Sequence, residues 1–305
     1  VTRLRLEIAL AYAGICLIWG TTWLAIKIGL QDAPPVTSVG ARFVLAGLVL
    51  YAVAALRREL VPWPQLPWKL VTVYAVCLFG VNYVFTYISE IGLTSGLTAV
   101  LFAVMPFCTF ILRAAIYREP TPPVVWIGTA LAFAGVAIIS IDGSTHGSLP
   151  YALAALTAAT LSAYANVYGK TRHDVAPLTV LPPAMLISGI VVLAAGIIAE
   201  HPQPGVFLVP SSLIAFLYLS LFGSAIAFFL NQWLLQRIDV SALNLAPLIF
   251  PLVALVAGAV ALHEFVHPVA GIGIALIVAA TWFTLSRVGS TQGDLAAGEP
   301  GVETS

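Results

Sequence analysis

Ten long apolar stretches alternate with short polar separators along the chain, at approximately 8–29, 36–56, 69–90, 94–116, 123–141, 149–169, 177–199, 211–235, 240–262 and 268–286. Each approaches the roughly 20 helical residues that a hydrocarbon core of about 30 Å requires. None alternates residue by residue as a membrane strand would. Backbone groups inside lipid must be paired within the chain, so solid apolar runs of this length predict continuous helices. The separators carry turn punctuation, as in Asp32-Ala33-Pro34-Pro35, Pro62-Trp63-Pro64, Asp142-Gly143-Ser144 and His201-Pro202-Gln203-Pro204-Gly205. The pattern predicts an all-α integral membrane protein with ten transmembrane helices.

The basic residues give an orientation, because cytoplasmic loops retain Lys and Arg. An inside N-terminus puts 11 of the 13 basic residues, Arg57, Arg58, Arg113, Arg118, Lys170 and Arg172 among them, at cytoplasmic ends or loops. An even number of spans then brings the C-terminus to the cytoplasm as well. The first run follows Arg3 and Arg5 as a signal peptide would, but it continues to spanning length and is expected to be retained as a helix. Trp63 and Trp68, before the third run, suit interfacial anchors. The Gly-, Ser- and acid-rich stretch 291–305 is expected to be a disordered tail.

Shifting the chain by 145 residues aligns 106–134 with 251–279 without a gap and gives ten identities in 29 pairs, among them Pro106/Pro251, Glu119/Glu264, Pro123/Pro268 and Gly128/Gly273. The repeat unit is five helices. Five is odd, so consecutive copies enter the membrane from opposite sides: 1–145 and 146–290 form two inverted five-helix repeats. Such repeats allow one midplane site to be exposed alternately to either side. A duplication that merely enlarged the protein is the alternative.

Composition narrows the function. With 60% hydrophobic residues, 9% charged, no net charge and mean hydropathy +1.01, the chain is not a water-soluble domain. It also has no basic stripe for a nucleic-acid partner. Cys16, Cys77 and Cys108 lie in apolar runs and supply neither disulfide framework nor metal set. No Walker A sequence is present, so the chain holds no ATPase of its own. Motifs for intramembrane enzymes and channel filters are likewise missing. No cofactor or metal is expected, and oligomeric state is not set by the sequence.

Ile18-Trp19-Gly20-Thr21-Thr22, Ala41-Arg42-Phe43 and the two Pro…Glu-x-x-x-Pro…Gly segments resemble the EamA family of the drug/metabolite transporter superfamily, over about 12–286. The resemblance implies a multi-pass exporter of amino acids or related metabolites in the bacterial inner membrane. Within the family the general character is similar to the YddG-type aromatic amino acid exporters. The late basic residues of the sugar-phosphate translocators are missing here, because the ninth and tenth runs hold no Lys or Arg before Arg287.

Polar atoms inside hydrocarbon must face protein or water, so they mark candidate sites. In the third run Phe79, Asn82, Tyr83, Thr86, Tyr87 and Glu90 share one helical face; in the eighth, Ser224, Phe228, Asn231 and Gln232 do so. The 145-residue shift superimposes Tyr83 on Phe228, Thr86 on Asn231 and Tyr87 on Gln232. These faces are expected to wall a substrate cavity, with cross-helix hydrogen bonding as the alternative. Trp19 and Trp23 in the first run, Ser162 and Asn166 in the sixth and Asn244 in the ninth are expected to join them. The indoles suit stacking on a flat side chain, against the alternative of a lipid-facing belt.

Pro106 and Pro251 are expected to kink equivalent helices, as gate hinges or as static bends. Lys27, Arg42 and Glu90 are the formal charges well inside the helix limits. A Glu90 pairing with Lys27 or Arg42 would make an outer gate or an ammonium site, and a structural ion pair is the alternative. Glu119 and Glu264, each four residues before a helix-opening proline, are expected to favour that helix's N-terminus. The expected function is a secondary transporter exporting small, partly apolar metabolites, with aromatic or other apolar amino acids favoured. An intramembrane enzyme, a channel-like facilitator and a multidrug exporter are the alternatives.

Overall fold

The computed structural model describes residues 2–141, 148–170, 172, 174–203, 205–235, 237–238, 246–265 and 267–297. Among them there is no strand, and the helices form ten rods. They are α1 (Thr2–Gly29), α2 (Pro35–Leu56), α3 (Trp68–Gly92), α4 (Ser95–Tyr117), α5 (Pro123–Ile141), α6 (Ser148–Lys170), α7 (Pro177–Glu200), α8 (Pro210–Ser220, Leu221–Ile226 and Ala227–Leu235), α9 (Ala246–Leu262) and α10 (Pro268–Ala297). Proline opens α2, α5, α7, α8 and α10, where its missing N–H costs nothing and its fixed φ suits the first turn. The last rod is helical through Ala297, within the stretch whose composition suggested a tail; 298–305 and Asn244 lie outside the described residues.

Six of the rods, α1, α2, α3, α4, α7 and α8, are long and apolar enough to cross a membrane, and α5, α9 and α10 contribute shorter apolar stretches. α6 differs because Thr157, Thr160, Ser162, Tyr164 and Asn166 interrupt its alanines. It packs inside, with Ala155, Ala158, Ala159, Ala163 and Ala165 inaccessible. Apolar side chains that no helix covers, such as Ile198 at 74% and Val260 at 73% exposure, form the outer surface.

The repeat expected from the sequence is written into the backbone. Four non-glycine residues among those described have left-handed φ, a conformation that costs an L-residue about 1–2 kcal/mol. They form two equivalent pairs: Arg118 (53°) with His263 (52°) after α4 and α9, and Arg58 (58°) with His201 (46°) after α2 and α7. α3 and α8 each widen to π-type turns, at Tyr74–Gly80 and Leu221–Ile226. Such widenings occur often at functional sites.

Equivalent helices pair antiparallel along glycine seams. α2 meets α7 at Gly40, Gly47, Gly189 and Gly196, where an added Cβ would lie 2.2 Å from Leu193 N, 2.9 Å from Leu186 N, 2.4 Å from Val44 N and 2.6 Å from Thr37 N. α5 meets α10 in the same manner through Gly128, Gly135 and Gly273. Lipid gives helices no hydrophobic reason to associate, so this close backbone approach supplies the contact. Between the seams α6 packs on α3 and α4, as α1 packs on α8 and α9.

The prolines expected to match do not act alike. Pro106 lacks the N–H that would reach Phe102 O, and its ring crowds that carbonyl. α4 is accordingly broken into Ser95–Phe102 and Met105–Tyr117, with a turn at Ala103 and Val104. Pro251 stands only five residues after the described start of α9, which runs through it.

Candidate functional site

The rods enclose a cavity of about 890 Å³, within the roughly 300–1,000 Å³ usual for small-molecule sites. Its deep wall is mixed. Trp19 and Trp23 come from α1, Asn82, Tyr83 and Thr86 from α3, Ser162 and Asn166 from α6, and Phe228, Asn231 and Gln232 from α8, with Pro106 from α4. Eleven residues expected at the site from sequence thus border one space. Its mouth lies among Arg113, Tyr117, Glu119, Lys170 and Arg172, at the end of the bundle to which the basic residues belong.

Local chemistry fixes this wall. Asn82 donates to Ser162 Oγ at 2.7 Å and to Leu78 O at 3.0 Å, joining α3 to α6, and Thr86 Oγ1 donates to Asn82 O at 3.0 Å. The aromatic rings form a chain, Phe43–Phe79–Phe228–Trp19–Phe250, with centroid spacings of 5.2, 5.0, 5.4 and 5.5 Å, the first pair tilted and the other three edge to face. Trp23 leans on Phe102 at 5.4 Å. The Nε1–H groups of both Trp19 and Trp23 are buried with no protein acceptor among the described residues.

Four residues of the faces expected to form this wall, Phe79, Tyr87, Glu90 and Ser224, stand behind it instead. Phe79 is fully buried in the core between Phe43 and Phe228, because it falls in the wide turn at Tyr74–Gly80, out of phase with Val81–Gly92. Tyr87 is 2% exposed at the α2 edge of the face, its hydroxyl 3.4 Å from Arg42 Nη1. Conversely Tyr74, Phe102, Thr109, Arg113, Glu119 and Phe250 border the cavity without having been singled out for it. Arg113 and Glu119 signalled only orientation and a helix corner in the sequence, and here they form an ion pair at the mouth.

The charges expected to pair do so differently. Lys27 reaches Glu90 at its backbone, donating to Glu90 O at 2.6 Å and Leu93 O at 2.7 Å, so its ammonium caps the end of α3. Both carboxylate oxygens of Glu90 are buried without a hydrogen-bond partner among the described residues. Arg42 binds Ser224, Gly223 O and Tyr87 instead of Glu90. Glu264 does not serve the helix that follows it. It accepts from Ser95 N at 3.1 Å through each oxygen and from Ser95 Oγ at 2.6 Å, holding the N-terminus of α4. Gly258 makes this approach possible, since a Cβ there would lie 2.2 Å from Glu264 Oε2 and 2.6 Å from Ser95 Oγ.

That end of the bundle, opposite the mouth, is tied further. Glu200 at the end of α7 accepts from Val36 N at 2.8 Å and from Thr37 N and Oγ1 at 2.7 Å each, neutralising the positive end of α2. Asp32 accepts from Ser211 at 2.9 Å and Ser212 at 3.1 Å. Among the described residues no group of His, Cys, Asp and Glu is arranged to hold a metal.

An all-helical fold with paired repeats, a membrane-length apolar exterior and a central cavity is the architecture of a membrane transporter. The sequence pattern of the EamA-like transporter family matches residues 6–141 and again 149–286, one match to each repeat, and the chain belongs to that family. It is similar to "Protein PagO" of Salmonella typhimurium, 28% identical over 269 residues that cover 86% of each chain. It is also similar to the "Uncharacterized inner membrane transporter YedA" of Escherichia coli, 29% identical over 254 residues, 81% of this chain and 80% of that one. A "Probable amino-acid metabolite efflux pump" of Salmonella typhimurium is 23% identical over 284 residues, 89% and 92% of the two chains. A solved crystal structure shares the fold with a TM-score of 0.66 at 20% identity, covering 94% of this chain and 98% of that one. The protein is a multi-pass inner-membrane transporter.

Proposed function

We propose that the protein exports amino acids or closely related small metabolites, those with aromatic or other apolar side chains foremost, by alternating access. All ten rods cross the membrane in this reading, both termini are cytoplasmic, and the structure corresponds to an inward-open state. The observation that carries it is the cavity: one space, walled by rings, amides and hydroxyls, reaching the end rich in Arg and Lys while the other end is tied shut. Export proceeds when the halves exchange roles around that space. Glu264 holds α4 at the closed end. Its repeat partner Glu119 stands at the open end, occupied by Arg113, and becomes the equivalent latch when the mouth closes. The mixed wall suits zwitterions with apolar side chains.

The test is flux of labelled phenylalanine, leucine, methyl viologen and a sugar phosphate through purified protein in liposomes. Amino acid flux well above that of the other two is expected. No flux of any amino acid would sink the assignment.

A further inference from the structure

Arg42 sits about two turns inside α2 and is 1% exposed. Its Nε donates to Ser224 Oγ at 2.7 Å and its Nη2 to Gly223 O at 3.2 Å, with Tyr87 Oη 3.4 Å from Nη1. The guanidinium carbon lies 4.7 Å from the Tyr83 ring centroid and 5.4 Å from that of Phe43. Every one of these groups is neutral. The ion pairs among the described residues are Arg3–Glu7 and Arg113–Glu119, neither of which involves Arg42.

A guanidinium cannot shed its charge, and three of its five N–H groups are accounted for by these contacts. An ionic group removed from water without a counter-ion is costly, and rings and dipoles offset only part of that cost. The protein nevertheless prepares a place for it. Gly223 leaves the room, since a Cβ there would lie 3.1 Å from Nη2, and the wide turn of α8 brings both Gly223 O and Ser224 to the guanidinium.

The position of this charge is also specific. Tyr83 and Thr86 border the main cavity. On the other side Arg42 and Tyr87 border a second space of about 20 Å³ with Gly29, Ser38, Ser212 and Phe216, toward the tied end. Arg42 thus stands between the two, against the Tyr83 ring of the cavity wall. A cation that no acidic group among the described residues neutralises, set between the two spaces, fits an anionic ligand group.

We propose that Arg42 is the carboxylate-binding residue of the exit path. The transported molecule carries a carboxylate, which passes from the main cavity to the Arg42 guanidinium as the tied end separates. The inference deepens the amino acid export proposed above and rests on it.

The experiment compares labelled phenylalanine with labelled phenylalaninamide, which keeps the ring and ammonium but lacks the carboxylate, in liposomes containing the full chain. Wild type is expected to carry the acid at least tenfold faster. Arg42→Gln is expected to lower acid flux to the amide level, and Arg42→Lys to keep part of the preference. An undiminished preference in Arg42→Gln overturns the proposal. Because that variant can fail to fold, wild type is also challenged with 3-phenylpropionate and with phenethylamine as competitors. Competition by the carboxylate is expected, and competition by the amine alone overturns the proposal. Equal flux of acid and amide in wild type overturns this inference and leaves amino acid export standing. Flux of neither overturns this inference, and overturns amino acid export as well when leucine is not carried either.

Discussion

Glu264→Ala tests whether the tie at the closed end holds a gate. In the native chain the carboxylate accepts two backbone contacts from Ser95 N at 3.1 Å and one from Ser95 Oγ at 2.6 Å. A hydrogen bond to a charged group contributes about 1.5–3 kcal/mol, and a carboxylate at a helix N-terminus about 0.3–1 kcal/mol more. Ser95 regains water once the tie is gone, which returns part of this, so a net loss of about 2 kcal/mol is reasonable. At about 1.4 kcal/mol per factor of ten, that moves the balance between closed and open outer ends roughly thirtyfold. A minor open state populated at about 0.1–1% would rise to between about 3% and 20%.

Spin labels at Ile91 and Phe265, both exposed and on opposite sides of the tie, read the change as a distance distribution. Glu264→Ala is expected to add a longer component. Ser95→Ala, which keeps the backbone contacts, is expected to add a smaller one. Distributions identical to wild type in both variants would refute the reasoning.

Other substitutions probe the seams, the wall and the buried acid. Gly40→Ala places a Cβ 2.2 Å from Leu193 N, an overpacking of about 1–3 kcal/mol, and should lower Tm in detergent; Gly271→Ala, with nothing within 4 Å of its Cβ, should not. Trp19→Phe and Trp23→Phe each reshape the aromatic wall of the cavity. Each should raise KM about five- to thirtyfold in the flux assay, beyond the modest Tm loss that a smaller ring in a packed wall brings, and a Tm loss at unchanged KM would make them core residues only. Asn82→Ala and Ser162→Ala remove the two ends of one 2.7 Å hydrogen bond, so a double-mutant cycle should give a coupling of about 1 kcal/mol, and additivity would deny the bond. Glu90→Gln alters a carboxyl group whose oxygens have no hydrogen-bond partner among the described residues. Its Tm should be unchanged or higher, and a fall of several degrees would show that the nearby Lys27 ammonium, which donates to Glu90 O at 2.6 Å, stabilises the carboxyl as well.

The helices were legible because lipid demands solid apolar runs, and the pairing of repeats because Pro, Glu and Gly recur at one offset. Asn82, Tyr83 and Thr86 were found by period, since three or four residues return a side chain to the same face. The same period failed at Phe79 because it assumes an unwidened helix, and no proline marks the turn at Tyr74–Gly80. It failed at Tyr87 because a face about a hundred degrees wide has edges, and this ring lies at the edge nearest α2. The break in α4 was foreshadowed by Pro106 but falls two to three residues earlier, where the lost hydrogen bond would have closed. Arg113 was hidden by doing two things at once: its charge belongs to the end of the bundle, and its side chain belongs to the mouth. The glycine seams carry no local signal, because what they require is the backbone of a helix more than a hundred residues away.

The two repeats share a glutamate and the left-handed residue before it, yet they differ at the equivalent positions Arg113 and Gly258. Arg113 occupies Glu119, whereas Gly258 leaves Glu264 free to take Ser95. In the proposed exchange of halves, one of the contacts that set the side on which the protein rests therefore differs at a single pair of positions, neither of them on the deep aromatic wall. Resting side and cargo choice are separable traits in such a design. A change at 113 or 258 is expected to shift the balance between the two sides while the wall that chooses its cargo stays as it is.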